Sequence, residues 1–214
     1  YCACNKPSHL CSCKKNVFNN HNNHNNHNYF NDDLVSRLIP RTGNAYTNNE
    51  NELYKGLLQD SDNGIAESLL LMISKNQEKI FRTETAIDLL KEKWRNWIPN
   101  KLQWVDGSGI SRYNMFTPRI IVAVLERIYI KSDWNKLKQI FPKSGESGTL
   151  KAYSGLSNVY AKTGTLKHNH NLSGYLISDS GEKYIFSFMV NHFTSSNDDI
   201  KKGLSEDLNW IYLK

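Results

Sequence analysis

The sequence predicts an α+β fold: a helical subdomain, then an antiparallel sheet, then a C-terminal helix that covers the sheet. Two observations carry this reading. Apolar residues recur at helical spacing through 53–141, and strand-like alternation is confined to 159–191. A last amphipathic stretch, 198–212, returns to the helical period.

Residues 1–47 do not read as a packed element. Cys2, Cys4, Cys11 and Cys13 crowd into the first thirteen residues as Cys-x-Cys, gap, Cys-x-Cys, without the Cys-x-x-Cys knuckles of structural zinc sites. That spacing is open to a soft metal, to disulfides, or to a terminus without a defined role. Residues 19–28 repeat Asn-Asn-His and set His21, His24 and His27 three apart. A tract with nothing apolar to bury cannot offset its chain entropy, so disorder is expected. Weak binding of divalent metals is the alternative to a plain spacer.

Order is expected from about Asn48. Leu53, Leu57 and Leu58 mark a short helix that ends at Gln59 and Asp60. Ser61-Asp62-Asn63-Gly64 is a run of turn formers and, as local structure, a helix-capping turn. Ile65, Ala66, Leu69, Leu70, Met72 and Ile73 then cover more than one helical face, which predicts a helix buried on most sides. A third helix is expected over 83–97, with Ala86, Ile87, Leu90 and Trp94 at helical spacing and Pro99 beyond its end.

Residues 106–114 form a Gly/Ser loop. Thr117-Pro118 reads as N-cap and first residue of a helix whose core face is Ile121, Val124, Leu125 and Ile128. A shorter amphipathic stretch, 134–141, leads to a second Gly-rich loop at 145–150. Strands are placed at 159–166, 172–178 and 183–191, with a His/Asn loop before the second and a hairpin turn at 179–182 before the third. Ile200, Leu204, Leu208 and Ile211 form the inner face of the closing helix.

The chain has 214 residues, 39% hydrophobic and 22% charged, enough for one domain with a sizeable core. Its longest apolar run, 120–125, has six residues and is too short to cross a bilayer. The net charge of +6 is spread out, without a basic stripe interleaved with aromatics. That argues against nucleic-acid binding and suits an anionic polymer surface such as a cell wall. Position 1 is Tyr and no signal peptide is seen, so the start reads as cut or processed.

Ser61-Asp62-Asn63 lies in a turn among helices, and Lys162-Thr163-Gly164 on a strand that opens a meander. With Ser-x-x-Lys, this pair is a signature of class A β-lactamases and penicillin-binding proteins. The flanks narrow it. Ser61-Asp62-Asn63-Gly64-Ile65-Ala66-Glu67 resembles the Ser-x-Asn element of the D-alanyl-D-alanine carboxypeptidase/endopeptidase family, the class C low-molecular-mass penicillin-binding proteins. Residues 106–114 with Thr117-Pro118-Arg119 resemble that family's Asp-Gly-Ser-Gly-Leu-Ser loop. Gly148-Thr149-Leu150, Ala161-Lys162-Thr163-Gly164-Thr165-Leu166 and Leu172-Ser173-Gly174-Tyr175 are similar to its C-terminal elements. All occur in the family's order, across about 48–214. Class A β-lactamases lack the Asp-Gly-Ser-Gly loop, and no Glu-x-x-Leu-Asn element is found here.

The resemblance implies a partial penicillin-binding-protein/β-lactamase-like transpeptidase fold, with 48–214 as the C-terminal part of a serine peptidase domain. The chemistry implied is attack by an activated serine on a D-Ala–D-Ala peptide, outside the cytoplasm, with peptidoglycan stem peptides as partners and β-lactams as inhibitors. No cofactor and no metal is expected. By resemblance Ser61, Asn63 and Lys162 are catalytic. Ser61 would pass a proton between a general-base lysine and the leaving nitrogen, since a hydroxyl donates and accepts at once. Asn63 would hydrogen-bond the substrate's side amide, and Lys162 would supply fixed positive charge. Thr163, Gly164 and Thr165 would bind substrate: a hydroxyl for its carboxylate, room for the peptide, and an oxyanion N–H.

The nucleophile is the departure from the family pattern. Ser12-Cys13-Lys14-Lys15 and Ser180-Gly181-Glu182-Lys183 match Ser-x-x-Lys formally. The first stands in a polar Cys-rich terminus and the second in a hairpin turn downstream of Lys-Thr-Gly, so neither is expected to attack. The chain alone is therefore expected not to acylate. Two other readings stand beside the enzyme: a non-catalytic homologue that binds wall peptides or β-lactams, and a metal-binding protein using the Cys and His of the first 27 residues.

Overall fold

The computed structural model describes residues 12–15, 47–153, 155–156 and 158–214. The strands are β1 (Ser12–Lys15), β2 (Val159–Leu166), β3 (Asn169–Ile177) and β4 (Lys183–Asn191), in one antiparallel sheet of order β1-β4-β3-β2. The helices are α1 (Thr47–Leu58), α2 (Asn63–Glu78), α3 (Thr83–Trp94), α4 (Pro118–Lys131), α5 (Trp134–Ile140) and α6 (Asn197–Tyr212), with a 3-10 turn at Gly148–Ala152.

Strand pairing sets two opposite faces. Val159, Leu176 and Tyr184 share a row across β2, β3 and β4, as do Ala161, Gly174 and Phe186, and Thr163, Leu172 and Phe188. This face packs on Leu204, Leu208 and Ile211 of α6, and on Leu150, Tyr153 and Leu156. Side chains of the next residue along point the other way. Tyr160, Tyr175 and Ile185 form a row that packs on Val122 and Leu125 of α4 and Leu137 and Ile140 of α5. The sheet is thus the middle of three layers. Gly174 is required there: a Cβ would lie 2.2 Å from the Tyr160 carbonyl oxygen and 2.5 Å from Ala161 Cα.

Caps explain where the helices start. Thr117 has extended backbone and its side chain accepts from Ile120 N–H, with Pro118 following as expected. Ser196 and Asp199 form a reciprocal capping box at the start of α6.

Four expectations need correcting. The second strand begins at Asn169, not at 172: the turn is only Lys167-His168, with His168 in the left-handed region, so His170 is a strand residue. On α4 the buried residues are Ile120, Val122 and Leu125, while Ile121, Val124 and Ile128 are half-buried, because Val122 and Leu125 face the sheet layer. On α2 only Leu70 and Ser74 are buried. Leu70, with Ile73 beside it, packs in a small cluster with Ala86, Ile87 and Leu90 of α3, and Ile65 lies close against Gly56 of α1. The remainder of the α2 apolar surface is half-buried. Finally, no packed element is expected within residues 1–47, whereas the backbone of Ser12–Lys15 pairs with β4. The Asn/His tract, Cys2, Cys4, Cys11 and the side chain of Cys13 lie outside the described residues, as does the metal-binding reading built on them.

Candidate active site

Two local conformations bring the first motif to the second. Asp62, not Ser61, is the N-cap of α2: its Oδ1 accepts from Ile65 N–H at 3.0 Å. Ser61, one residue earlier, is held in the left-handed region at φ 57°. A side chain other than glycine pays about 1 kcal/mol or more for that backbone. Asp62 N–H donating to Gly56 O at 3.0 Å and Gln59 Nε2 donating to Gln139 O at 2.9 Å hold the segment on the end of α1 and on α5.

Lys162 lies on β2 in register with Ser173 and Ser187, on the same face as Tyr160. It therefore points to the helical side of the sheet, toward Ser61. Its ammonium donates to Ser61 Oγ at 2.8 Å and to the Thr163 carbonyl at 2.7 Å. Among the described residues it has no carboxylate partner. Burial pushes its pKa below the usual lysine value, because a desolvated charge without a counter-ion favours the neutral form. The site is a half-buried cation bonded to a serine hydroxyl, and it favours an anionic guest.

Thr163 points to the other face, where its hydroxyl donates to Thr149 Oγ1 at 2.6 Å. Thr149 belongs to the 3-10 turn. That turn presses on the end of α1 through Gly148, which has φ 54° and where a Cβ would lie 2.8 Å from Gln59 O. Gly164 is exposed, and a Cβ there would meet only Asn171, at 3.9 Å. Nothing inside the protein requires this glycine, so the room it leaves is on the outer side. Thr165 is exposed, and its hydroxyl is bonded to His170 Nδ1 at 2.8 Å.

Of the six residues singled out by sequence, Ser61 and Lys162 are in direct contact, and Thr163, Gly164 and Thr165 follow along the same edge strand. Asn63 does not reach them by a hydrogen bond; it is exposed in the first turn of α2.

The 106–114 loop joins this arrangement through residues the sequence did not single out. Glu67 of α2 accepts from Gly107 N–H at 3.1 Å and from Ser108 N–H at 2.9 Å. Asp106 accepts from Gly109 N–H, Ser111 N–H and Asn114 Nδ2, each at 2.7 Å, so the loop is braced from inside. Arg112 donates to Lys167 O at 3.3 Å, which links the loop to the β2–β3 turn. Glu67 and Thr149 lie within the quoted motifs, but their bonds span 40 and 14 positions and no local pattern announces them.

Neither Ser-x-x-Lys string stands at the cleft. Ser12 pairs with Ser187 on β4, and β4 and β3 separate β1 from β2. Three strand spacings put the two about 14 Å apart. Ser180 Oγ bonds Ser178 Oγ in the hairpin turn, and Lys183 donates to Tyr129.

Known proteins resemble this chain in sequence and in fold. The chain is 34% identical over 160 residues to D-alanyl-D-alanine carboxypeptidase DacB of Haemophilus influenzae, covering 70% of this chain and 33% of that one. Its fold matches the crystal structure of penicillin binding protein 4 (dacB) from Haemophilus influenzae with TM-score 0.67 and 30% identity, over 75% of this chain and 39% of that one. An extended-spectrum β-lactamase matches with TM-score 0.55 at 16% identity, over 84% of this chain and 72% of the other, a likeness of fold alone. The chain thus spans about a third of the length of this curated relative. The profile of the D-Ala-D-Ala carboxypeptidase 3 (S13) family matches residues 50–209, and the chain belongs to that family.

Proposed function

We propose that this chain forms the substrate-holding part of a serine-type D-Ala–D-Ala carboxypeptidase/endopeptidase of peptidoglycan metabolism, working outside the cytoplasm. The observation that carries this is the 2.8 Å contact of Lys162 Nζ with Ser61 Oγ, made across 101 positions of sequence. In this reading residues 48–214 are the C-terminal part of the enzyme domain, apart from the low-complexity residues 1–47.

Ser61, Asn63 and Lys162 are its catalytic side chains. Lys162, without a counter-ion among the described residues, attracts the terminal carboxylate of a stem peptide and keeps the Ser61 hydroxyl polarised. Ser61 hands a proton to the leaving nitrogen during acyl transfer, and Asn63 steadies the peptide's side amide. Thr163 and Thr165 bind the substrate, Thr165 through an N–H to the oxyanion, while Gly164 lets the peptide lie along the strand edge. The Haemophilus influenzae protein 4 has been crystallised with a β-lactam, and β-lactams are the inhibitors expected here.

A second reading is a homologue that binds stem peptides or β-lactams without cutting. It is favoured by the distance of both Ser-x-x-Lys strings from Lys162. One experiment tests both. An isotope-labelled 214-residue polypeptide is titrated with a stem peptide ending in D-Ala–D-Ala, then exposed to a fluorescent penicillin. Amide shifts at Ser61 and at residues 162–165, weaker for a peptide ending in L-Ala, are expected. Absence of those shifts sinks both readings. Covalent labelling by the penicillin overturns the expectation that the polypeptide alone does not acylate.

A further inference from the structure

A buried polar chain runs beneath the outer end of β2. Tyr153 and His170 are each 1% exposed, and their rings stack with centroids 6.4 Å apart. Tyr153 OH lies 2.6 Å from His170 Nε2, and His170 Nδ1 lies 2.8 Å from Thr165 Oγ1. Two buried polar groups in an apolar layer are costly unless both are satisfied, so the direction of each bond can be worked out.

Burial pushes the Tyr153 phenol well above its usual range. Burial first, and the Lys201 charge second, push His170 below its usual value. The pair is therefore a protonated phenol and a neutral imidazole. Among the described residues Tyr153 OH has no partner but His170, so its proton must go to Nε2 or be orphaned. A neutral imidazole that accepts at Nε2 carries its proton on Nδ1. That Nδ1–H donates to Thr165 Oγ1. The hydroxyl proton of Thr165 then has no acceptor among the described residues.

We propose that Tyr153 and His170 are positioning residues that commit the exposed Thr165 hydroxyl to act as a hydrogen-bond donor toward the anionic end of a bound peptide. This rests on the reading that β2 lines the substrate cleft. With the opposite tautomer Thr165 would donate inward, and its outward side would offer only lone pairs, which repel a carboxylate.

Long-range proton–nitrogen correlation on the labelled, unmodified polypeptide reads the tautomer directly. A neutral ring protonated at Nδ1 is expected at pH 7.5; a ring protonated at Nε2, or at both nitrogens, overturns the proposal. Tyr153→Phe is expected to mix the tautomers and weaken stem-peptide affinity by the fraction of rings left competent, about twofold for an even mixture. In a Thr165→Val background the same substitution should add nothing. Unchanged affinity in a folded Tyr153→Phe protein, or an equal loss in both backgrounds, overturns the proposal. The tautomer arm needs no variant, so it stands if Tyr153→Phe does not fold. A peptide that binds while the ring is protonated at Nε2 sinks this proposal alone. A peptide that shifts no cleft amide sinks the cleft reading and this proposal together.

Discussion

The sheet wall of the cleft and its helical wall differ in what holds them. Behind Lys162–Thr165 the strands are covered on both faces, by α6 on one side and by α4 and α5 on the other. Leu208, Leu172, Phe186 and Phe188 are almost completely removed from water. Behind Ser61 and Asn63, α2 buries only Leu70 and Ser74. A small apolar cluster on α3 is joined there by hydrogen bonds in setting its position: Glu67 to the backbone of Gly107 and Ser108, and Ser61 to Lys162. Each such bond contributes about 1 kcal/mol net, whereas a buried leucine contributes about 2–3. Half of the cleft is therefore a packed scaffold, and the other half is set in place by a small apolar cluster together with polar contacts.

The largest effect that tests this contrast is in the core. Leu208→Ala is expected to cost about 3–4 kcal/mol, because the packed layer cannot close on the missing atoms. Leu69→Ala, on the half-buried part of α2, is expected to cost about 1 kcal/mol, since less apolar surface is returned to water. Urea unfolding of the two variants reads the difference. Equal losses would mean that α2 is as tightly packed as the sheet, and the contrast would fail.

The same difference governs what the sequence could disclose. Helical and strand periods placed the α-helices and strands of 48–214 within a few residues, because Leu204, Leu208 and Ile211, or Tyr184, Phe186 and Phe188, are spaced by the geometry that buries them, while the 3-10 turn at Gly148–Ala152 read as a loop. Ser61 and Lys162 were legible through their tripeptides. What escaped was the depth of burial. The apolar pattern of α2 reports which faces are sticky, not which neighbours arrive to cover them. His170 escaped too, since a His-Asn-His run reads as loop until pairing with Thr165 and Val190 places it in the sheet. Long-range bonds such as Glu67 to Gly107 leave no local trace.

A smaller effect is expected at the junction of the walls. Lys162 is half-buried without a counter-ion among the described residues; Lys162→Met removes that desolvation cost together with the bonds to Ser61 and Thr163, so stability should change by no more than about 1 kcal/mol while stem-peptide binding weakens tenfold or more. The pH dependence carries the same signature with opposite signs. With its folded pKa below the ordinary lysine value, the unfolded chain holds more protons between the two, and stability gains from this group as pH rises through that window. Peptide affinity falls over the same window as the cation is lost. Tyrosines ionise nearby, so the quantity to measure is the difference between the unmodified protein and Lys162→Met. A difference flat across alkaline pH would mean that Lys162 titrates like an exposed lysine.

The smallest expected change in stability is the most informative about the helical wall. Ser61 sits at φ 57°, and glycine adopts that backbone without strain. Relief of about 1 kcal/mol is offset by glycine's extra freedom in the unfolded chain, about 0.5–1 kcal/mol, so Ser61→Gly should cost only the lost bond to Lys162, about 1 kcal/mol or less. The hydroxyl that receives Lys162 is removed all the same, and stem-peptide affinity should fall. Ser61→Ala keeps the strain and loses the hydroxyl, so it should bind as poorly as Ser61→Gly and be slightly less stable. Thermal melts and peptide titrations on the two variants check this directly. If Ser61→Gly instead unfolds the protein, the Ser61–Lys162 bond carries far more of the structure than a polar contact of about 1 kcal/mol can, and the helical wall would have to be regarded as held by its site.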